Sequence, residues 1–258
     1  MSLLNLEVKP FAKEIIYKLF HRKLSEITRF RNAFKGESCY LFGDGVSIKW
    51  FDLKEFGDKL SIPCGFILWH NDFRSLCVEL ATFVEPWAFW SPAFKINLQR
   101  TFILANAYAQ TIERYSNIEF YLHLSNFLEM RKYKNVNFVF NRFPDHTLSS
   151  KIDCFYGSMR GVIALAIYLG ISKCYLVGFD YTHNPLRAHH WYENTRGVQK
   201  LNSNYNEIFF NIAREYIDIT TITLSEEDTF LDSISYHGLT GKPLVYKDND
   251  LLLSENYI

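Results

Sequence analysis

Residues 158–192 read SMRGVIALAIYLGISKCYLVGFDYTHNPLRAHHWY. The first part, small and apolar up to Gly170, predicts a helix that stops at a glycine. The run from Cys174 to Phe179 has the unbroken apolar character of a strand buried on both faces. Polar groups crowd in directly behind it: Asp180, Tyr181, His183, Asn184, Arg187, His189, His190, Tyr192 and Glu193. Open α/β sheets bind ligands outside the carboxyl ends of their strands, so this loop is the leading site candidate.

Working outward, an apolar run at 39–42 leads into Gly43, Asp44, Gly45, Val46 and Ser47, with a helical reading from Ile48. Glycines behind a strand permit a tight turn and a close approach of phosphate to backbone N–H groups. The third glycine of a dinucleotide fingerprint is absent, because Ile48 holds its position. A second buried run at 65–69 ends in His70, Asn71 and Asp72. Further strands are expected at 84–92, 119–124, 135–140 and 218–224. Helices are expected at 97–115 and 204–216, with a short one at 229–234 capped from Ser225. This alternation predicts an α/β chain built on a doubly wound, mainly parallel sheet. With no repeat and no low-complexity linker, residues 37–240 read as one domain, with a helical extension at 1–36 and an irregular tail at 241–258.

The extension is amphipathic. Phe11, Ile15, Ile16, Leu19, Phe20, Leu24, Ile27, Phe30 and Phe34 recur mostly three or four apart. Opposite them stand Lys13, Lys18, Arg22, Lys23, Arg29, Arg31 and Lys35, against only Glu14 and Glu26. Such a helix either packs on the core with a solvated face or docks on an anionic membrane.

Composition narrows the classes. Of 258 residues 48% are hydrophobic, enough for a sizeable core and against extended disorder. Basic and acidic residues balance at 28 each, which argues against a general nucleic-acid binder. Five cysteines without CxxC spacing read as free thiols in a reducing compartment. No signal-peptide pattern or spanning stretch is evident, so the expected location is cytoplasmic, with the inner face of the cell membrane open to the basic helix.

Three motifs together carry a resemblance: Gly43-Asp44-Gly45-Val46-Ser47-Ile48, His70-Asn71-Asp72-Phe73, and Gly178-Phe179-Asp180-Tyr181 behind the helix and Gly170. They resemble the bacterial sialyltransferases of glycosyltransferase family 42, a Rossmann-like family, and the related MptE-like group that includes pterin pyrophosphokinases. The likeness runs from about Cys39 to Leu231, and its specific parts are short. It implies a CMP-sugar as donor substrate, with no other cofactor and no metal, and a surface glycan or lipid-linked precursor as acceptor. It places Gly43, Asp44, Gly45 and Ser47 on the turn that meets the nucleotide, with Asp44 in place of the family's Asn. Asn71 falls on the second nucleotide contact, and Gly178 and Asp180 on the late strand end. Tyr156-Gly157-Ser158 lies where the family has T-S-G before its helix, but the order differs and the family's Arg is missing. His190-Trp191-Tyr192-Glu193 resembles the H-F-Y-E that closes this loop in the MptE-like group.

Inverting glycosyl transfer needs a base at the acceptor hydroxyl and donors for the charge that grows on the leaving phosphate. His190 is the leading base, with His183 and His189 as rivals. Tyr181, Tyr192 and Arg187 are the candidate phosphate donors. A zinc site of His183, His189 and His190 is disfavoured, since adjacent histidines rarely converge on one ion. Asp248-Asn249-Asp250 matches D-x-D but lies in the irregular tail, and His237-Gly238 reads equally as a turn. Two rivals remain: an MptE-like pyrophosphokinase, which needs Mg²⁺ and carboxylates to hold it, and a nucleotide-binding protein without catalysis.

Overall fold

The computed structural model describes residues 10–83, 109–140, 157–200, 206–225 and 229–248. The strand expected at 84–92, most of the helix expected at 97–115 and the stretch 141–156 lie outside them. Among the described residues the strands are β1 (Ser38–Phe42), β2 (Leu60–Pro63), β3 (Leu80–Phe83), β4 (Glu119–His123), β5 (Val136–Val139), β6 (Lys173–Val177), β7 (Leu186–Ala188), β8 (Val198–Lys200), β9 (Asp218–Thr223) and β10 (Asp232–Ser235).

Strands β10-β9-β6-β1-β2 form one sheet and β3-β4-β5 another, and every pairing in both is parallel. Parallel bridges Leu60–Cys77 and Cys64–Thr82 join the two. The chain steps outward from β1 to β5, returns to the free edge of β1 as β6, and continues through β9 to β10. This is a doubly wound, Rossmann-like α/β fold with an N-terminal helix. The reversal of direction makes the carboxyl ends of β1 and β6 the topological switch point, where such folds bind ligands.

Each strand divides its side chains between two apolar layers, because successive residues point to opposite faces. Cys39 and Leu41 of β1 join Cys174 and Leu176 of β6 in the layer of helix Ser158–Tyr168. Tyr40, Phe42 and Val177 join Phe51, Phe56 and Tyr236 on the other side. The helix is buried continuously from Gly161 to Tyr168, as an all-round apolar helix must be. Gly170 ends it at φ +81, with Gly170 N–H donating to Ile167 O at 3.0 Å and Ile171 N–H to Ala166 O at 3.1 Å. That pair of bonds satisfies carbonyls the helix end would leave orphaned. Residues 32–36 dock on the same end: Asn32, Phe34 and Gly36 donate to the carbonyls of Tyr168, Leu169 and Gly170. The N-terminal helix Pro10–Ser25 and the 3-10 turn Glu26–Phe30 are thereby tied to the domain.

Several expectations need correction. The run at 65–69 is a 3-10 turn, and the strand is the preceding Leu60–Pro63. Gly65 at φ +93 breaks the extended path there, and the Asp44 carboxylate accepts from the Phe66 N–H. The helical reading from Ile48 is one 3-10 turn, Val46–Trp50. Residues 229–234 do not form a helix: β10 finds a backbone ladder along β9, and the short helix follows at Tyr236–Thr240. The loop after β6 contains its own hairpin, with β7 and β8 paired antiparallel.

Candidate active site at the switch point

The turns that follow β1 and β6 are bonded to one another. Gly43 N–H donates to Val177 O at 2.8 Å and Gly45 N–H to Gly178 O at 2.7 Å. Ser47 N–H donates to Asp180 Oδ2 at 2.8 Å, and the Ser47 hydroxyl donates to Oδ1 of the same carboxylate. A Cβ on Gly45 would stand 2.5 Å from Gly178 O, so no larger residue fits. The close backbone approach these glycines permit is therefore made to the chain's own second turn. Asp180 is fully buried; burial pushes its carboxyl up, opposed by His183 and by the Ser47 bonds.

Asp44 gathers two further segments. Its carboxylate accepts from Phe66 N–H at 2.9 and 3.0 Å, and from the Trp191 indole Nε1–H at 3.3 Å. Trp191 N–H donates to Asp44 O at 3.1 Å, and Gly45 forms an antiparallel bridge with His190. Trp191 is fully buried, which fixes the loop of residues 189–193 across the β1 turn.

One carboxylate in that loop serves two histidines. Glu193 Oε2 lies 2.8 Å from His189 Nδ1, and Oε1 lies 3.1 Å from His190 Nδ1, with the His190 N–H also reaching Oε2 at 3.3 Å. Burial acts to raise the Glu193 carboxyl, but the bonds from His190 and His189 outweigh it and hold it below its ordinary value. With a proton held on Nδ1, each imidazole presents Nε2 as its acceptor. His190 is 36% exposed in its side chain, and its ring stacks on Tyr192 at 5.1 Å with 8° between planes. Tyr192 in turn packs on Phe66 at 4.7 Å.

The other expected residues separate by position. His183 is fully buried beneath a bridge to Thr229, out of reach of an acceptor. Tyr181 is half exposed in the 3-10 turn after β6, and Arg187 is half-buried on β7. Asn71 is exposed at the start of a 3-10 turn capped by His70, whose ring lies 5.1 Å from Trp191. Gly157 and Ser158 open their helix, whose other end meets residues 32–36 just before β1. They therefore lie at the carboxyl edge of the sheet. Tyr156, before them, is outside the described residues.

Sequence reasoning passed over Lys49. Its side chain is fully buried, its Nζ donates to Glu193 O at 2.6 Å, and it pairs with Asp248 Oδ1 at 3.4 Å. Lys247 Nζ lies 3.4 Å from Asp52 and 3.6 Å from Asp72. The first aspartate of the D-x-D match is thus an ion-pair partner, and residues 249–250 are outside the described set. Among the described residues no group of three or more His, Cys, Asp or Glu side chains is arranged to hold a metal ion.

No family model matches the chain, and no curated protein matches it. A solved structure, that of the MAf glycosyltransferase from Magnetospirillum magneticum AMB-1, aligns over 90% of this chain with a TM-score of 0.42 and 10% identity. This chain spans 40% of that protein's length. Likeness at that level says nothing of chemistry.

Proposed function

We propose that the protein is a transferase that moves a sugar from a nucleotide-activated donor to a hydroxyl acceptor, with His190 as its base. The observation that carries this reading is the His190–Glu193 pair laid against the Gly45 turn at the switch point. In the proposed step His190 Nε2 takes the acceptor proton as the acceptor oxygen bonds to the anomeric carbon. The bond from that carbon to the donor phosphate oxygen breaks, and the nucleotide leaves with the electron pair. Glu193 is a positioning residue: it fixes the imidazole's tautomer and favours the imidazolium that forms. Tyr181 and Arg187, on the segment leaving β6, are the candidate donors to the leaving phosphate, acting without a metal.

The resemblance of the three turn motifs to family 42 sialyltransferases supports a CMP-activated nonulosonic sugar as the donor and a surface or lipid-linked glycan as the acceptor. The pyrophosphokinase reading wants carboxylates at the β1 turn turned toward Mg²⁺, whereas Asp44 accepts from Phe66 and Trp191 and Asp180 from Ser47. The non-catalytic reading expects the loop to fall away from the β1 turn, whereas Trp191 and His190 are bonded to it.

The test is CMP release from CMP-sialic acid, with and without a glycan acceptor. His190→Ala should lower turnover roughly 10²- to 10⁴-fold, the usual reach of a general base, with nucleotide affinity retained. Glu193→Gln should lower it less and in the same sense. Wild-type turnover in His190→Ala would remove the base assignment.

A further inference from the structure

We infer that the outward face of the N-terminal helix is a docking surface for an anionic lipid bilayer. This does not depend on the chemistry assigned to the site. Helix Pro10–Ser25 turns Ile16, Tyr17, Phe20 and Leu24 toward the main apolar cluster. At 3.6 residues per turn the opposite face is Ile15, Lys18, Leu19 and Arg22. Leu19 is 74% exposed and Ile15 41%, one turn apart, with the two cations beside them. Nearby cations are already committed: Lys23 pairs with Glu26, and Arg29 with Glu119. Lys18 and Arg22 have no carboxylate partner among the described residues. A second exposed leucine, Leu128, is 63% accessible and adjoins Phe127, whose ring packs on Phe20 at 5.3 Å.

The pattern selects one partner. Exposed apolar side chains interleaved with unpaired cations suit a lipid interface, where the former enter the acyl boundary and the latter meet headgroup phosphates. A nucleic acid would use the cations and leave Ile15 and Leu19 in water. A second copy facing this one would set Lys18 and Arg22 against their own counterparts. The chain as a whole is charge-balanced, yet this helix carries four basic residues and one acidic. No helix among the described residues is long and apolar enough to cross a membrane, so the contact inferred is a surface one. Tyr17 packs on Phe140, just beyond the carboxyl end of β5.

The test is co-sedimentation of the full chain with phosphatidylcholine vesicles, and with vesicles in which part of that lipid is replaced by phosphatidylglycerol. Binding is expected to the anionic vesicles alone at low salt, and to fall away at high salt. Lys18→Glu/Arg22→Glu should weaken it at least about 25-fold, since one cation near the surface is worth about fivefold, or ~1 kcal/mol. Leu19→Ser should weaken it several-fold, and all three positions are exposed, so the melting temperature should not move. Equal binding to neutral vesicles, full binding by the charge-reversal variant, or no binding at low salt would each overturn the inference. So would self-association or DNA binding abolished by these substitutions in a chain that ignores vesicles.

Discussion

Asp180 illustrates how the site is secured at the level of single residues. Its carboxylate takes both the N–H and the hydroxyl of Ser47 inside the fold, joining the turns after β1 and β6. Removing one partner of a buried polar pair leaves the other unsatisfied, at about 1–3 kcal/mol per group. Asp180→Ala should therefore destabilise the chain by roughly 3 kcal/mol in denaturant unfolding. Adding Ser47→Ala should recover part of that loss, because it removes one of the two orphaned donors. A double variant no more stable than Asp180→Ala would contradict this pairing. The two glycine turns and Asp180 behind β6 were legible in the sequence as turns, since turn residues behind apolar runs have a local signature. That Asp180 spends its carboxylate on Ser47, 133 positions away, has none.

Among the elements, the helix at 158–168 and strand β6 were plain from apolar composition and Gly170. The turn after β2 was misread because 65–69 is as apolar as a strand, while the strand itself contains Ser61 and Pro63. What decides it is Gly65 and the distant Asp44 carboxylate, which shape a 3-10 turn. The next turn is capped by His70, whose Nδ1 accepts from Asp72 N–H at 3.1 Å. Burial pushes the His70 imidazole down to about 4, with Asp72 and Asp52 raising it and Lys247 lowering it. The unfolded chain takes up that proton near pH ~6.5, so between the two values protonation favours unfolding. Stability present above about pH 6.5 should fall as pH drops toward 4, by up to about 3 kcal/mol. His70→Asn keeps a cap acceptor and cannot titrate, so its stability should be flatter across that window. A slope equal to that of wild type would assign the dependence to another group.

Across the whole molecule, the alternation of strands and helices made the parallel sheet readable, and its order follows from the reversal at β6. The C-terminal segment was not readable, because its contacts join ends of the chain. Val245 N–H reaches Trp50 O at 3.4 Å, Lys247 N–H reaches Lys49 O at 2.7 Å, and Tyr246 packs on Trp50. Lys49 links this segment to the loop of Glu193. Lys49→Met should speed amide exchange in residues 189–193 and 243–248 together, roughly ten- to hundredfold for the loss of a charged hydrogen bond. Faster exchange in one segment alone would show them to be independent. A nucleotide-sugar site at the switch point can be read out by thermal unfolding with CMP, CDP, UDP, GDP and ATP, each with and without Mg²⁺. A ligand at a hundredfold excess over its Kd adds about 2.7 kcal/mol, a rise of roughly 5–10 °C for a chain of this size. That rise is expected for CMP, with or without Mg²⁺. A rise with ATP that requires Mg²⁺, or no rise with any nucleotide, would contradict it.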